Sequence, residues 1–156
     1  MPAAPAIRRA TLRDIDALAE LRLAMLREIG SARDEAQAAP LLDAIRRYLL
    51  AKLATGEFVA WVAEADGQLV ATSGLVFFER PPDADNPAGV DAYLMNMYTL
   101  PRWRGKGLAT RLMDEAIRFA KGSAARRIWL HATEEGRPVY RKAGFRPTTK
   151  DMELVW

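Results

Sequence analysis

Apolar residues recur at spacings of three and four over the first third of the chain, the period of helices that bury one face. Ile15, Leu18, Leu21, Met25 and Ile29 make the first stripe; Thr11-Leu12-Arg13-Asp14 before it has the form of a capping box, and Gly30 stops it. Residues 31–39 are polar and read as a loop. Pro40 then takes a favoured first helical position, and Leu41, Ile45, Tyr48, Leu49 and Leu53 form a second stripe ending at Gly56. Residues 58–64, the Asp66-Gly67 pair and residues 69–78 read as strand, turn and strand, a strong hairpin signal.

Residues 79–90 hold three prolines with Asp, Asn and Gly, which predicts an irregular surface loop. A strand is expected over 91–99 and a helix over 108–121, with Leu108, Leu112, Ala116, Phe119 and Ala120 on one face and Gly122 beyond its end. A strand at 128–132, a short helix at 136–143 closed by Gly144, and a last strand at 152–155 complete the chain. The order β-α-α-β-β-β-α-β-α-β mixes hairpins with crossovers. It predicts a single α/β (α+β) domain over 7–156, with helices on both faces of a mixed, mostly antiparallel sheet and a disordered Pro/Ala tail at 1–6.

Composition narrows the chemistry. The 156 residues are 50% hydrophobic and 28% charged, the range of one ordinary globular domain. With no Cys and one His, a zinc site is not expected, and no metal is assigned. No thiol nucleophile exists, so any group transfer is direct or uses Ser, Thr, Lys or a carboxylate. Lys plus Arg number 23 against 20 Asp plus Glu, a net +3, with the signs interleaved. That pattern predicts no nucleic-acid partner. No signal-peptide pattern and no run of roughly 18 apolar residues is present, so a soluble cytoplasmic protein without a membrane partner is expected.

The informative stretch runs from Asn96 to Ala109: a strand, then Arg102-Trp103-Arg104-Gly105-Lys106-Gly107, then the start of a helix. Such a turn presents unpaired N–H groups at the positive end of a helix dipole, where phosphate oxygens bind. Gly105 and Gly107 allow close backbone approach, and Arg104 and Lys106 add charge. Two other motifs fail. A Walker A loop needs Ser or Thr after Gly-Lys, where Gly107 stands, and a dinucleotide fingerprint needs a third glycine. Taken alone, a flexible helix start explains a Gly-x-Gly equally well.

The stretch resembles the GNAT superfamily of N-acetyltransferases, whose Arg/Gln-x-x-Gly-x-Gly/Ala signature is matched by Arg104, Gly107 and Ala109. A second block, Pro138-Val139-Tyr140-Arg141-Lys142-Ala143-Gly144-Phe145, resembles the family's Tyr-x-x-x-Gly-Phe segment, and the element order is similar from Ile7 to Val155. The resemblance implies acetyl-CoA as co-substrate. It implies that Arg104, Gly105, Lys106, Gly107, Leu108 and Ala109 hold the pyrophosphate. It further implies that Met97, Tyr98 and Thr99 align the pantetheine arm in a gap between two parallel strands. A backbone N–H near Tyr98, at a strand bulge, would polarise the thioester, and Tyr140 would protonate the leaving thiolate. Thr133 stands where many members carry an Asn that touches CoA, Gly136 where Ala is common, and Ala71 where Gly is frequent.

The reading is direct acetyl transfer from acetyl-CoA to a primary amine of a small molecule or peptide in a ternary complex, by a monomer or homodimer. No base is assigned: Glu28, Glu79, Asp91, Glu134, Glu135 and a water relay stay open. His131 reads as a packed, hydrogen-bonded residue beside Trp129. The acceptor pocket is expected between the first two helices, the 31–39 loop and the 79–90 loop, whose carboxylates would attract a cationic acceptor if they are not simply solvated. The alternatives are a non-catalytic acyl-CoA-binding module and a nucleic-acid or protein-binding adaptor.

Overall fold

The computed structural model describes residues 4–148 and 150–156. Its elements run β1 (Ala6–Arg9), a 3-10 turn (Leu12–Asp14), α1 (Ile15–Glu28), α2 (Glu35–Thr55), β2 (Phe58–Ala65), β3 (Gln68–Glu79) and β4 (Val90–Thr99). A second 3-10 turn (Pro101–Trp103), α3 (Leu108–Lys121), β5 (Ile128–Trp129) and α4 (Arg137–Lys142) follow. Five strands form one sheet in the order β1-β2-β3-β4-β5. Every neighbouring pair is antiparallel except β4 and β5, which are parallel. This is the mixed, mostly antiparallel sheet expected from the element order.

The register follows from local chemistry. Asp66 (φ 51°) and Gly67 (φ 75°) both take left-handed conformations, as a two-residue hairpin turn matched to strand twist requires. Alternation along β2 then divides the core. Phe58, Ala60 and Val62 face α1 and α2, with Leu18, Ile45 and Leu49, while Val59, Trp61 and Ala63 face α3, with Leu112, Met113 and Ala116. Both faces of the sheet are covered, so β2 is apolar almost without interruption. The edges of α3 coincide with the expected ones because its apolar stripe is strict and glycines flank it at 107 and 122.

Three expectations are corrected. The helix expected from Pro40 begins at Glu35, because Asp34 caps it by accepting the Ala36 N–H (2.9 Å), and Pro40 lies inside it. The strand expected over 128–132 pairs only at Ile128 and Trp129. The strand expected over 152–155 is absent: Met152, Leu154, Val155 and Trp156 are exposed, and the neighbouring β5 is too short to supply a ladder. Of the expected tail, residues 1–3 lie outside the described residues; Pro5 is buried, and its carbonyl accepts a bond from Arg111 (3.2 Å). Among the described residues no helix is long and apolar enough to cross a membrane.

The entrance to α1 is pinned electrostatically. Asp14 is 8% exposed, receives both guanidinium nitrogens of Arg8 (2.8 and 2.9 Å) and accepts the Thr11 N–H (2.7 Å). Hydrogen bonding from Arg8 outweighs burial and holds its carboxyl at about 2, below the ordinary 3.8. A depressed carboxylate stabilises the fold above its unfolded pKa, and the gain is lost as pH falls through the folded value. Asp14→Asn is therefore expected to lower stability by about 2 kcal/mol at neutral pH. In thermal melts, the gap from the parent protein should close as the pH is lowered from 3.8 towards about 2.

Candidate active site

The site begins with an irregularity in β4. Thr72 of β3 pairs with Tyr98 and Gly74 with Met95, so Asn96 and Met97 together oppose Ser73. The extra residue is a bulge, and Asn96 carries it in a left-handed conformation (φ 57°), which Asn tolerates better than most side chains. On its other side β4 pairs with β5 only at Ala92 and Tyr93. From Leu94 to Thr99 that edge has no strand partner among the described residues. Met97, Tyr98 and Thr99 thus lie along a strand edge that is open here, where outward-facing backbone groups not taken by Arg104 can meet an extended, amide-bearing chain.

β4 leads through the Pro101–Trp103 turn to the glycine turn. Gly105 (φ 71°) and Gly107 (φ 75°) are both left-handed, and nothing lies within 4 Å of a Cβ built on either. Gly107 caps α3 without a side-chain acceptor, and the first helical bond runs from the Arg111 N–H to the Gly107 carbonyl (3.1 Å). The N–H groups of Leu108, Ala109 and Thr110 therefore have no intrahelical acceptor. Leu108 is 2% exposed, so it offers a ligand its backbone and not its side chain. Lys106 places its ammonium 4.5 Å from the centre of the Trp103 ring.

Arg104 is already engaged. Its guanidinium donates to the Thr99 carbonyl (3.0 Å), pairs with Glu28 at the end of α1 (2.8 Å) and lies 5.6 Å from the Tyr98 ring centre. Tyr98 also donates its hydroxyl to Glu28 (3.0 Å). Hydrogen bonding from Arg104, more than from Tyr98, holds the Glu28 carboxylate below its usual range. Glu28 is thus a poor proton acceptor and a good brace: it fixes the side chains that flank the open strand edge and the glycine turn.

Tyr140 sits on α4, half-buried against the α3-side core, and its hydroxyl forms no hydrogen bond among the described residues. Burial, and then the neighbouring Tyr93, pushes the phenol above its ordinary range. Gly136 explains this placement, since a Cβ there would meet the Tyr140 ring at 2.8 Å. Thr133 accepts the Gly136 N–H through its hydroxyl (3.2 Å) and so shapes the entrance to α4. His131 bonds through Nδ1 to the Tyr93 hydroxyl (3.0 Å), and Tyr93 stacks on Trp129 at 4.4 Å between ring centres.

The loop that precedes β4 is charged, and part of that charge is spent in its own ion pairs. Asp91, fully buried, pairs with Arg80 (2.9 Å) and Arg127 (3.1 Å) and accepts from Asn86 (3.2 Å), while Asp83 pairs with Arg80 (2.6 Å). These carboxylates are consumed in holding the loop, which removes the expected attraction for a cationic acceptor at Asp83 and Asp91. Glu134 is likewise paired with Arg137 (3.0 Å). One residue that the sequence reading passed over faces the bulge: Arg22 on α1, half-buried, donates to the Asn96 amide oxygen (3.4 Å). Its signal was an Arg lodged inside an apolar helical stripe, four residues after Leu18 and three before Met25.

Comparison with known proteins follows the same lines. Residues 18–145 match the model of the Acetyltransferase (GNAT) family. The uncharacterized N-acetyltransferase YjgM of Escherichia coli K12 is 30% identical over 149 residues, spanning 92% of this chain and 83% of its own. A predicted acetyltransferase of Clostridium acetobutylicum, crystallised with acetyl-CoA, is 35% identical with a TM-score of 0.87, covering 97% of this chain and 96% of that one. A GCN5-related N-acetyltransferase of Ralstonia eutropha JMP134 is 33% identical with a TM-score of 0.83, covering 97% and 98%.

The glycine turn yields a stability prediction. Because a Cβ at residue 105 or 107 meets open space, Gly105→Val and Gly107→Val are each expected to cost only the left-handed backbone strain, about 1–3 kcal/mol. Denaturant titration should show the extrapolated unfolding free energy falling by this amount, with the far-ultraviolet dichroism of the native state unchanged.

Proposed function

This chain belongs to the GNAT acetyltransferase family and is an acetyl-CoA-dependent acetyltransferase, and we propose that it moves the acetyl group directly to an amine in a ternary complex. The observation that carries the reading is the open β4 edge running straight into a turn of unpaired N–H groups. The two match the two halves of the co-substrate: a pantetheine arm with amides to pair, and a pyrophosphate with oxygens to solvate.

In this reading Gly105, Lys106, Gly107, Leu108 and Ala109 hold the pyrophosphate, chiefly by backbone N–H groups, with Lys106 supplying charge. Arg104 contributes as the brace that Glu28 and the Thr99 carbonyl fix in place. Met97, Tyr98 and Thr99 pair with the pantetheine amides, and Thr133 borders the CoA from the start of α4. The bound co-substrate supplies an activated acetyl thioester. A backbone N–H near Tyr98, at the bulge, stabilises the negative charge that grows on the carbonyl oxygen. As the amine nitrogen forms its C–N bond the C–S bond breaks, and the sulfur takes the proton of the Tyr140 hydroxyl. Raised above its ordinary range by burial, that phenol is protonated throughout the neutral range and is loaded as a donor. The amine nitrogen gives its proton to water, and the Tyr140 phenolate takes one back from water, which restores the donor.

Calorimetric titration with acetyl-CoA, with desulfo-CoA and ATP as comparisons, tests the cofactor half. Micromolar binding of acetyl-CoA unmatched by ATP is expected, together with its loss in Gly107→Val. Absence of binding overturns the reading. For the chemical half, Tyr140→Phe is expected to lower kcat by about 10²- to 10⁴-fold while acetyl-CoA affinity holds. Unchanged kcat removes Tyr140 from the acid role.

A further inference from the structure

Arg22 is a cation that the fold has partly desolvated without giving it a counter-charge. It projects from α1 towards the β4 bulge, where its contact is the neutral amide of Asn96, itself 5% exposed. No carboxylate pairs with it among the described residues, although almost every other partly buried charge here is matched: Arg8 with Asp14 and Glu64, and Asp91 with Arg80 and Arg127. The groups within electrostatic reach of its guanidinium are the hydroxyls of Tyr48 on α2 and Tyr93 on β4, and burial pulls its pKa below the ordinary value. Desolvating a guanidinium is costly unless an anion completes it.

Its position says where that anion would come from. Tyr93 alternates with Ala92 and Leu94, which face α3, so its side chain lies on the α1 and α2 side of the sheet with Arg22 and Tyr48. This is the side from which an acceptor would reach the bulge if pantetheine follows the open β4 edge. Two carboxylates of the adjoining segment, Asp83 and Asp91, are neutralised by Arg80 and Arg127. The acceptor wall is therefore rich in donors and offers no free negative charge at these positions.

We propose that Arg22 recognises a carboxylate on the acceptor, so that the substrates are small amino-carboxylates rather than polyamines or other simple cations. The inference rests on the acetyl-transfer reading above. A guanidinium fork accepts a carboxylate with two parallel N–H···O bonds. Asn96 orients that fork, with Tyr48 and Tyr93 within electrostatic reach. The amine, held a few bonds from the carboxylate, is thereby placed relative to the thioester.

The test is a panel of L-amino acids and ω-amino carboxylates, each assayed against its carboxamide and its decarboxylated amine by release of the CoA thiol. The protein has no Cys, so it adds no thiol background. At least one carboxylate is expected to exceed both of its neutralised analogues in kcat/KM, mainly through KM. Arg22→Gln is expected to reduce that preference on the order of 10- to 100-fold, and Arg22→Lys to restore part of it. Acetyl-CoA titration of each variant reports that the fold and the cofactor site persist. Equal or better turnover of the carboxamides or simple amines, or a preference that survives Arg22→Gln, overturns the proposal. So does failure of every panel amine in a protein that binds acetyl-CoA. Failure of the parent protein to bind acetyl-CoA overturns the acetyl-transfer reading instead.

Discussion

The constraint on which the structure turns is that β4 is fully paired on one side and abandoned on the other. Along β3 it keeps its ladder from Val90 to Thr99, interrupted only by the bulge at Asn96 and Met97. Along β5 it is paired for two residues. An unpaired edge in the middle of a covered sheet is costly unless something polar meets it. The chain maintains this edge by pinning both ends: Asp91 is locked between Arg80 and Arg127 below, and Arg104 is tied to Thr99 and Glu28 above. The glycine turn, the half-buried Tyr140 and the side of the sheet facing α1 all take their positions from this parted pair.

What could be read from residues alone was what depends on near neighbours in the chain. The limits of α3, the Asp66-Gly67 hairpin and the capping box at Thr11 and Asp14 are short-range matters, and each is where its local chemistry puts it. The start of α2 was misread because two local signals competed. Pro40 is a good first helical residue, yet Asp34 caps a run rich in Ala that carries the helix through the proline. The strands at 128–132 and 152–155 were overestimated for a different reason: their apolar runs have strand character, but a strand is defined by a partner, and partnering is a property of the whole sheet.

The same division holds for the site. Gly105 and Gly107 were legible as a turn that allows close backbone approach, and nothing lies within 4 Å of a Cβ built on either. The partnership of Glu28 with Arg104 joins residues far apart in sequence and was not legible, nor was the exhaustion of Asp83 and Asp91 on Arg80 and Arg127. Charge counted along a chain describes supply; only pairing shows which charges are left over. By that reckoning two carboxylates of an apparently acidic loop were already spent, and an Arg in an apolar stripe became the group without a counter-charge among the described residues.

Helix α1 carries both Arg22, beside the bulge, and Glu28, the brace of the glycine turn, six residues apart on one rigid element. At a rise of about 1.5 Å per residue the two are separated by about 9 Å along the axis. A tilt of α1 that widens the space around one also displaces the other. With the roles proposed for Arg22 and the turn, any evolutionary change of substrate range made by repacking this helix carries a correlated change in the turn, so specificity and cofactor affinity drift together along this route. Substitutions at the tips of side chains, which leave the helix axis still, are the ones that can separate the two properties.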